Sequence, residues 1–111
     1  MPPVRLVEYC DLAGRSPYAR WFDRLNAIAA ARVAASLYRL EAGNFSNVKG
    51  VGAATYELRI DFGPGYRVYF GKDGDTLVVL LGGSSKRDQG AAIRAAQAAW
   101  ADYKRRKQQD A

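Results

Sequence analysis

Midway along this chain the hydrophobic period changes from about 3.6 residues to 2, and that change restricts the fold more than any other feature. Ser16 and Pro17 form a typical helix start, and apolar or aromatic side chains then recur at helical spacing as far as Leu25. A second, alanine-rich helix is predicted from Asn26 to a stop at Gly43. We expect the two helices to form a hairpin.

The period of a strand begins at Thr55. From there to Phe62 apolar and polar side chains alternate, so one face of the strand is apolar and the other carries Glu57, Arg59 and Asp61. A one-sided pattern of this kind is typical of an antiparallel sheet with one face on the core.

Two turn signals, Gly63-Pro64-Gly65 and Asp73-Gly74, divide the chain that follows. Strands over residues 66–70 and 76–81 are therefore predicted to complete an antiparallel meander. Residues 77–81 are apolar at every position, which favours a central strand covered on both faces.

The ends of the chain supply one more strand and one more helix. Residues 4–10 are rich in strand-forming types, and residues 84–88 are predicted to open a last helix. The glycine-rich segment 44–53 is not counted as a strand. The predicted order is β-α-α-β-β-β-α, an α+β fold in a single domain over residues 1–111, with a small, mostly antiparallel twisted sheet packed by a helical hairpin and a C-terminal helix.

Composition narrows the function classes. Seventeen Lys and Arg against eleven Asp and Glu give a net charge of +6, which favours a polyanion or an acidic protein as partner. Cys10 is the one cysteine and histidine is absent, so we predict no disulfide, metal or cofactor, and we expect Cys10 to be a small buried side chain. No apolar run reaches the length of a membrane span, so a cytoplasmic protein without membrane contact is expected.

The polar face of the meander is the first candidate for a site. If Phe62 lies opposite Tyr66, then Asp61 faces Arg67 and Arg59 faces Tyr69, so two arginines and a tyrosine converge beside one carboxylate. Cross-strand charge pairing on a solvated sheet face is the simpler interpretation of the same pattern.

The segment Gly82-Gly83-Ser84-Ser85-Lys86 is the second candidate. It is predicted to lie between a buried strand and a helix start, where backbone N–H groups and a lysine could hold a phosphate. A plain strand-to-helix turn with a serine cap explains the segment equally well.

Together these segments predict one cationic surface for RNA. Its members are Lys49, Arg59, Arg67, Lys86 and Arg87, with Tyr69 between them to stack on a base or sugar. The 2′-hydroxyl of RNA can itself attack the adjacent phosphate, so arginines need only orient the strand and neutralise charge, and no metal is required. Lys49, Lys86 or Tyr69 would transfer protons only if their pKa values were depressed.

Residues 56–70 and 77–86 carry a resemblance to a known family. With their Glu-Leu-Arg, Gly-Pro-Gly-Tyr-Arg-Val-Tyr-Phe and Gly-Gly-x-x-Lys motifs, they resemble the phage-derived addiction-module killer proteins of the RelE/ParE toxin superfamily, close to the HigB-type toxins. Residues 21–25, 39–45 and 48–49 match that family as well, so the resemblance covers nearly the whole chain.

The resemblance implies a toxin of a type II toxin–antitoxin system, neutralised by a cognate antitoxin that is usually a helix-turn-helix protein. Many relatives cleave mRNA on the ribosome without a metal, and others poison DNA gyrase. Arg67 matches an arginine that supports catalysis in RelE-like relatives. The candidate residues are Arg59, Arg67, Tyr69 and Lys86 for catalysis and Lys49, Gly82, Gly83, Ser85 and Arg87 for RNA or phosphate binding.

The chain departs from the family pattern at several points. It has no histidine, no tyrosine in the first turn of the last helix, and Ser84-Ser85 where relatives commonly have an aspartate before the lysine. Three hypotheses follow: a ribosome-dependent endoribonuclease that inhibits translation, a non-enzymatic gyrase poison, and a degenerate killer protein that only binds its antitoxin.

Overall fold

The computed structural model describes residues 2–110 and has the α+β class that the sequence predicts. In chain order the elements are β1 (Arg5–Glu8), α1 (Pro17–Phe22), α2 (Ala27–Glu41), β2 (Val48–Gly52), β3 (Thr55–Ile60), β4 (Tyr66–Asp73), β5 (Leu77–Ser85), a 3₁₀ turn (Lys86–Asp88) and α3 (Gln89–Gln109). A C-terminal helix is confirmed. The number of strands was wrong, because the described residues contain five strands where four were predicted.

The five strands form one mixed sheet in the order β1-β5-β4-β3-β2. β1 runs parallel to β5, and the other neighbours are antiparallel. β5 lies inside the sheet and residues 78–81 are buried, which confirms the prediction of an interior strand covered on both faces.

β2 is the strand that the sequence did not reveal. It pairs with β3 through a tight turn in which Ala53 and Ala54 adopt left-handed φ angles of 53° and 59°. Asn-Gly or Asp-Gly is the usual sequence for such a turn, and a pair of alanines carries no such signal. The glycines at positions 50 and 52 also lower the strand propensity of the segment.

The predicted register between β3 and β4 was wrong by two residues. Arg59 pairs with Arg67 and Ile60 pairs with Tyr66, because Phe62 has already left the ladder and joins the loop. A shift of two residues keeps every side chain on its predicted face. The faces are therefore correct although the partners are not.

The helical hairpin forms as the sequence predicts. The side chain of Ser16 accepts a hydrogen bond from the backbone N–H of Ala19 at 3.0 Å, and that of Asn26 accepts one from Ala29 at 2.9 Å. α1 ends at Phe22. The hairpin covers one face of the sheet, where the buried side chains are Val4, Tyr18, Val33, Leu37, Leu40, Leu58, Ile60, Val68, Phe70, Val78 and Leu80.

α3 covers the opposite face of the sheet. Ala96 and Trp100 pack there against Tyr9, Tyr69, Val79 and Leu81, with Ile93 and Tyr103 at the edge. The alternative interpretation of this face as solvated was wrong where α3 packs, because the apolar stripe of the helix covers it there.

The end of β5 also differs from the prediction. β5 continues through Ser85, so Gly82 and Gly83 are strand residues and form no loop. The pairing with β4 shifts register between Tyr69 and Phe70, which leaves Gly83 opposite Val68 and Ser84 opposite Arg67. No side chain caps the 3₁₀ turn that begins at Lys86.

Two further observations concern exposure. Cys10 is exposed, so the prediction of a buried cysteine was wrong. Among the helices of residues 2–110, none has the length and apolar character that crossing a membrane requires.

Candidate functional site

A depression of about 300 Å³ opens at the end of the sheet that α3 leaves uncovered. Its walls are the loop after β3, the start of β4 and the 3₁₀ turn. It brings together three of the predicted catalytic residues, Arg59, Arg67 and Lys86, and Asp61 lies on the same wall. Three cationic side chains against one carboxylate make this depression positive.

Arg67 lies at the base of the depression and is only 6% exposed. Its Nη1 donates to the carbonyl of Tyr66 at 3.3 Å. Its Nε lies 3.3 Å from Oε2 of Glu57, which makes an ion pair, but the angle is unsuitable for a hydrogen bond and Nε has no acceptor among residues 2–110. Nε itself is buried, so an anion in the depression would meet the terminal nitrogens of the Arg67 guanidinium.

Lys86 is held against the opposite wall by its backbone. Its N–H donates to the carbonyl of Gly65 at 3.0 Å, which ties the 3₁₀ turn to the loop before β4. Gly65 has a left-handed φ of 82°, and a Cβ there would lie 3.4 Å from Cβ of Lys86 and 3.7 Å from Nη1 of Arg67. The glycine therefore lets the loop bring Lys86 and Arg67 to one depression.

Glu57 is a member of this region that the sequence analysis did not select. The side chain is fully buried, and the amide of Gln89 donates to both of its carboxylate oxygens, at 3.1 and 3.0 Å. Lys49 reaches it from β2 with Nζ at 3.5 Å, beside the Arg67 ion pair. The alternation placed Glu57 on the same face as Arg59, but no sequence signal linked it to Gln89.

Two predicted phosphate ligands lie outside the depression. Lys49 belongs to the Glu57 cluster, where its side chain is 58% exposed. Arg87 is exposed next to Lys86 in the 3₁₀ turn and does not line the depression. The single cationic surface expected from the sequence is therefore a three-residue depression with Lys49 and Arg87 beyond its walls.

Tyr69 does not have the position that a catalytic or stacking role requires. Its side chain has no exposed area, and its hydroxyl lies 3.0 Å from Oγ of Ser84. Burial raises the pKa of Tyr69 above its ordinary value, whereas proton transfer needs a lowered pKa. Its assignment as a catalytic residue is corrected to a core residue.

The predicted phosphate loop is likewise corrected. Gly83 faces the indole of Trp21, and a Cβ at Gly83 would overlap that ring, so the glycine makes room for packing. Ser85 interacts with Asp88 through its hydroxyl at 3.4 Å. Because Gly82 and Gly83 lie within β5, their backbone groups cannot form the cradle that was expected.

No group of three or more potential metal-binding side chains of the histidine, cysteine, aspartate or glutamate type occurs within residues 2–110. The side chains that line the depression are instead suited to an anion, because arginine and lysine are the usual partners of phosphate oxygens.

The fold and this depression define a small α+β protein with a cationic surface site. No protein-family model matches the chain. Over 77 residues it is 43% identical to an uncharacterized protein of Haemophilus influenzae, and the aligned region covers 68% of this chain and 78% of the relative. The chain belongs to the same family as that protein.

Proposed function

We propose that this protein is a RelE/ParE-type toxin of a type II toxin–antitoxin system that inhibits translation by cleaving ribosome-bound mRNA without a metal. The observation that carries the proposal is the depression that brings the guanidinium of the nearly buried Arg67 together with Arg59 and Lys86. Such a group suits the developing charge of a phosphodiester under attack.

The order of elements supports the same assignment. With β2 set aside, the order is the β-α-α-β-β-β-α that the sequence predicts, which this proposal takes as a RelE-like fold. The residues of the family motifs also lie together, because Arg67 of β4 and Lys86 after β5 reach one depression. In this proposal β2 is an additional edge strand.

The proposed reaction is an attack of the RNA 2′-oxygen on the adjacent phosphorus. The bond to the 5′-oxygen of the next nucleotide breaks, so the products are a 2′,3′-cyclic phosphate and a 5′-hydroxyl. Arg67 and Arg59 neutralise the charge of the transition state, and Lys86 orients the strand. Asp61 is the carboxylate that lines the depression and can accept the 2′-hydroxyl proton, and the ammonium group of Lys86 can supply a proton to the leaving 5′-oxygen.

The proposed partners follow from charge. A cognate antitoxin, of helix-turn-helix type by the resemblance, would place acidic side chains over Arg59, Arg67 and Lys86 and thereby block mRNA. Arg59→Glu combined with Lys86→Glu should weaken antitoxin binding, whereas Arg5→Glu on β1 at the far edge of the sheet should not.

Primer extension on a reporter mRNA in a purified translation system tests the activity, with and without ribosomes. Arg59 is exposed, so Arg59→Ala removes its charge without opening the core, and Arg5→Ala is the matched control. We expect ribosome-dependent cuts that slow at least about tenfold in Arg59→Ala, a loss of about 1.4 kcal/mol of transition-state stabilisation. Equal rates for the two variants would contradict the proposal.

A gyrase poison is the second candidate. The burial of Tyr69 favours it, because this removes one of the predicted proton-transfer groups from the site. Growth arrest with intact mRNA, together with double-strand DNA breaks, would select this candidate over the ribonuclease.

A further inference from the structure

Glu57 lies where β2, β3, β4 and α3 meet. Three side chains from different elements surround its carboxylate: Gln89 through two hydrogen bonds, Arg67 at 3.3 Å and Lys49 at 3.5 Å. Only Lys49 is well exposed. The carboxylate therefore belongs to the interior and cannot itself touch a substrate in the depression.

Burial of this carboxylate is expensive and needs a physical reason. An ionised carboxylate in a protein interior loses several kcal/mol of hydration, and ion pairs return that cost only when geometry and further hydrogen bonds are favourable. An apolar side chain at position 57 would extend the neighbouring core at lower cost. A buried ion pair is thus weak support for a purely stabilising role.

The neighbour of Glu57 that reaches the depression is Arg67. Arg67 lies between the Glu57 carboxylate and the depression, so the carboxylate attracts its Nε from the interior side. Nε is buried on the Glu57 side, so the terminal nitrogens of the guanidinium are the donors left for a ligand in the depression. Gln89 fixes both carboxylate oxygens and so determines the side from which Arg67 is attracted.

We propose that Glu57, held by Gln89, is a positioning residue that fixes the Arg67 guanidinium at the base of the depression for contact with an RNA phosphodiester. The RNA substrate in this inference rests on the proposed function. The positioning of Arg67 by Glu57 rests on the geometry alone. Lys49 adds a charge that balances the carboxylate from the exposed side.

The primary test observes Arg67 directly and needs no activity. The ¹⁵N Nε–H resonance of Arg67 is measured by NMR in the wild-type protein and in Glu57→Gln, which keeps the shape and removes the charge. Arg59 lies opposite Arg67 in the sheet and is the internal reference. Glu41→Gln, at the exposed end of α2, is the matched charge control. We expect the Arg67 resonance to shift and broaden in Glu57→Gln only.

A double-mutant cycle adds the functional readout. In the translation system, Glu57→Gln should lower the cleavage rate at saturating toxin about tenfold and change the half-saturating concentration less than about twofold. In an Arg67→Lys background the same substitution should change the rate less than about twofold, because its effect passes through Arg67. A purely structural role would give the same fold-change in both backgrounds.

The outcomes separate this inference from the proposed function. An unshifted Arg67 resonance in Glu57→Gln, or multiplicative effects in the cycle, overturns the positioning role. If the wild type cleaves no RNA, the proposed function fails while the resonance still decides whether Glu57 positions Arg67. Should Glu57→Gln not fold, Gln89→Ala removes the two hydrogen bonds instead, with Gln108→Ala as its exposed control, and the same resonance is expected to move.

Discussion

The two faces of the sheet are covered in different ways. On the hairpin face two helices enclose eleven buried residues, all of them aliphatic or aromatic. On the α3 face one helix covers a smaller apolar cluster, and beyond it lie the buried charges of Glu57 and Arg67. The hairpin face is apolar core throughout. The α3 face is apolar core at one end and a polar site at the other.

This difference shows where the fold can accommodate a costly group. Buried charges at the centre of the hairpin face would break a cluster that supplies much of the hydrophobic stabilisation. At the open end of the α3 face Arg67 borders the solvent of the depression, and the buried Glu57 behind it is held by Gln89. The candidate site therefore lies on the face of the sheet with the smaller apolar cluster.

The largest predicted losses of stability come from substituting two glycines, one on each face of the sheet. Gly83 receives the indole of Trp21 on the hairpin face and Gly71 that of Trp100 on the α3 face, and a Cβ at either position would overlap the ring. Each Gly→Ala change should lower the free energy of unfolding by about 1–3 kcal/mol in urea titrations. The larger loss is expected at Gly71, because Trp100 is only 5% exposed.

Gly82→Ala is the matched control for these substitutions. Gly82 lies in the same strand as Gly83, and a Cβ there would have no heavy atom within 4 Å. This variant should be as stable as the wild type. If Gly83→Ala and Gly82→Ala unfold at the same urea concentration, the close packing of Trp21 on β5 is wrong.

The next largest effect concerns two of the buried tyrosines, one on each face of the sheet. Tyr69→Phe removes the hydroxyl that contacts Ser84 on the α3 face and should cost about 1 kcal/mol. Tyr18→Phe on the hairpin face should stay within about 0.5 kcal/mol, since the Tyr18 hydroxyl has no hydrogen-bond partner among residues 2–110. Thermal unfolding measures both, and mRNA cleavage by Tyr69→Phe should match the wild type. A loss of cleavage in a folded Tyr69→Phe protein would restore that tyrosine to the site.

The smallest change in the stability of the fold is expected at acidic pH. Asp73 accepts hydrogen bonds from Lys107 at 2.6 Å and from Tyr103 at 2.8 Å, and these contacts hold the pKa of Asp73 below its ordinary value. A carboxylate with a lowered pKa in the folded state contributes stability above its unfolded pKa and loses it as the pH falls through the folded value. Stability should therefore decrease below about pH 4, by less than about 1 kcal/mol for this exposed pair.

Hydrogen exchange between pH 5 and pH 3 locates this change. Amides of the last turns of α3 should lose protection, whereas those of α2 should keep theirs, because no ion pair joins the hairpin to the sheet in residues 2–110. In Asp73→Asn the difference between the two pH values should shrink. An equal loss of protection in both helices would contradict the assignment to the α3 face.

Local features of the fold were predictable from sequence. The caps at Ser16 and Asn26 act within three residues, and the alternation of β3 reports directly which side chains share a face. Arg59, Arg67 and Lys86 follow from such patterns, and the depression brings them together.

Features that depend on distant parts of the chain were not predictable. β2 was missed because Ala53 and Ala54 form its turn without the usual residues. The burial of Tyr69 depends on α3, which begins only at Gln89. The Glu57 and Gln89 contact joins side chains 32 residues apart, and nothing in either local pattern signals it.

The parallel pairing of β1 with β5 has a consequence for how the protein forms. Arg5 pairs with Leu77, so β1 can join the sheet only after most of the chain has been synthesised. Contacts of such long sequence separation slow folding, because the entropy of closing the loop is lost before the contact forms. Gln89 is synthesised later still, so the carboxylate of Glu57 acquires its hydrogen bonds only after all five strands have been made. In a nascent chain the cationic residues are therefore synthesised before the contacts that assemble them into a site can form.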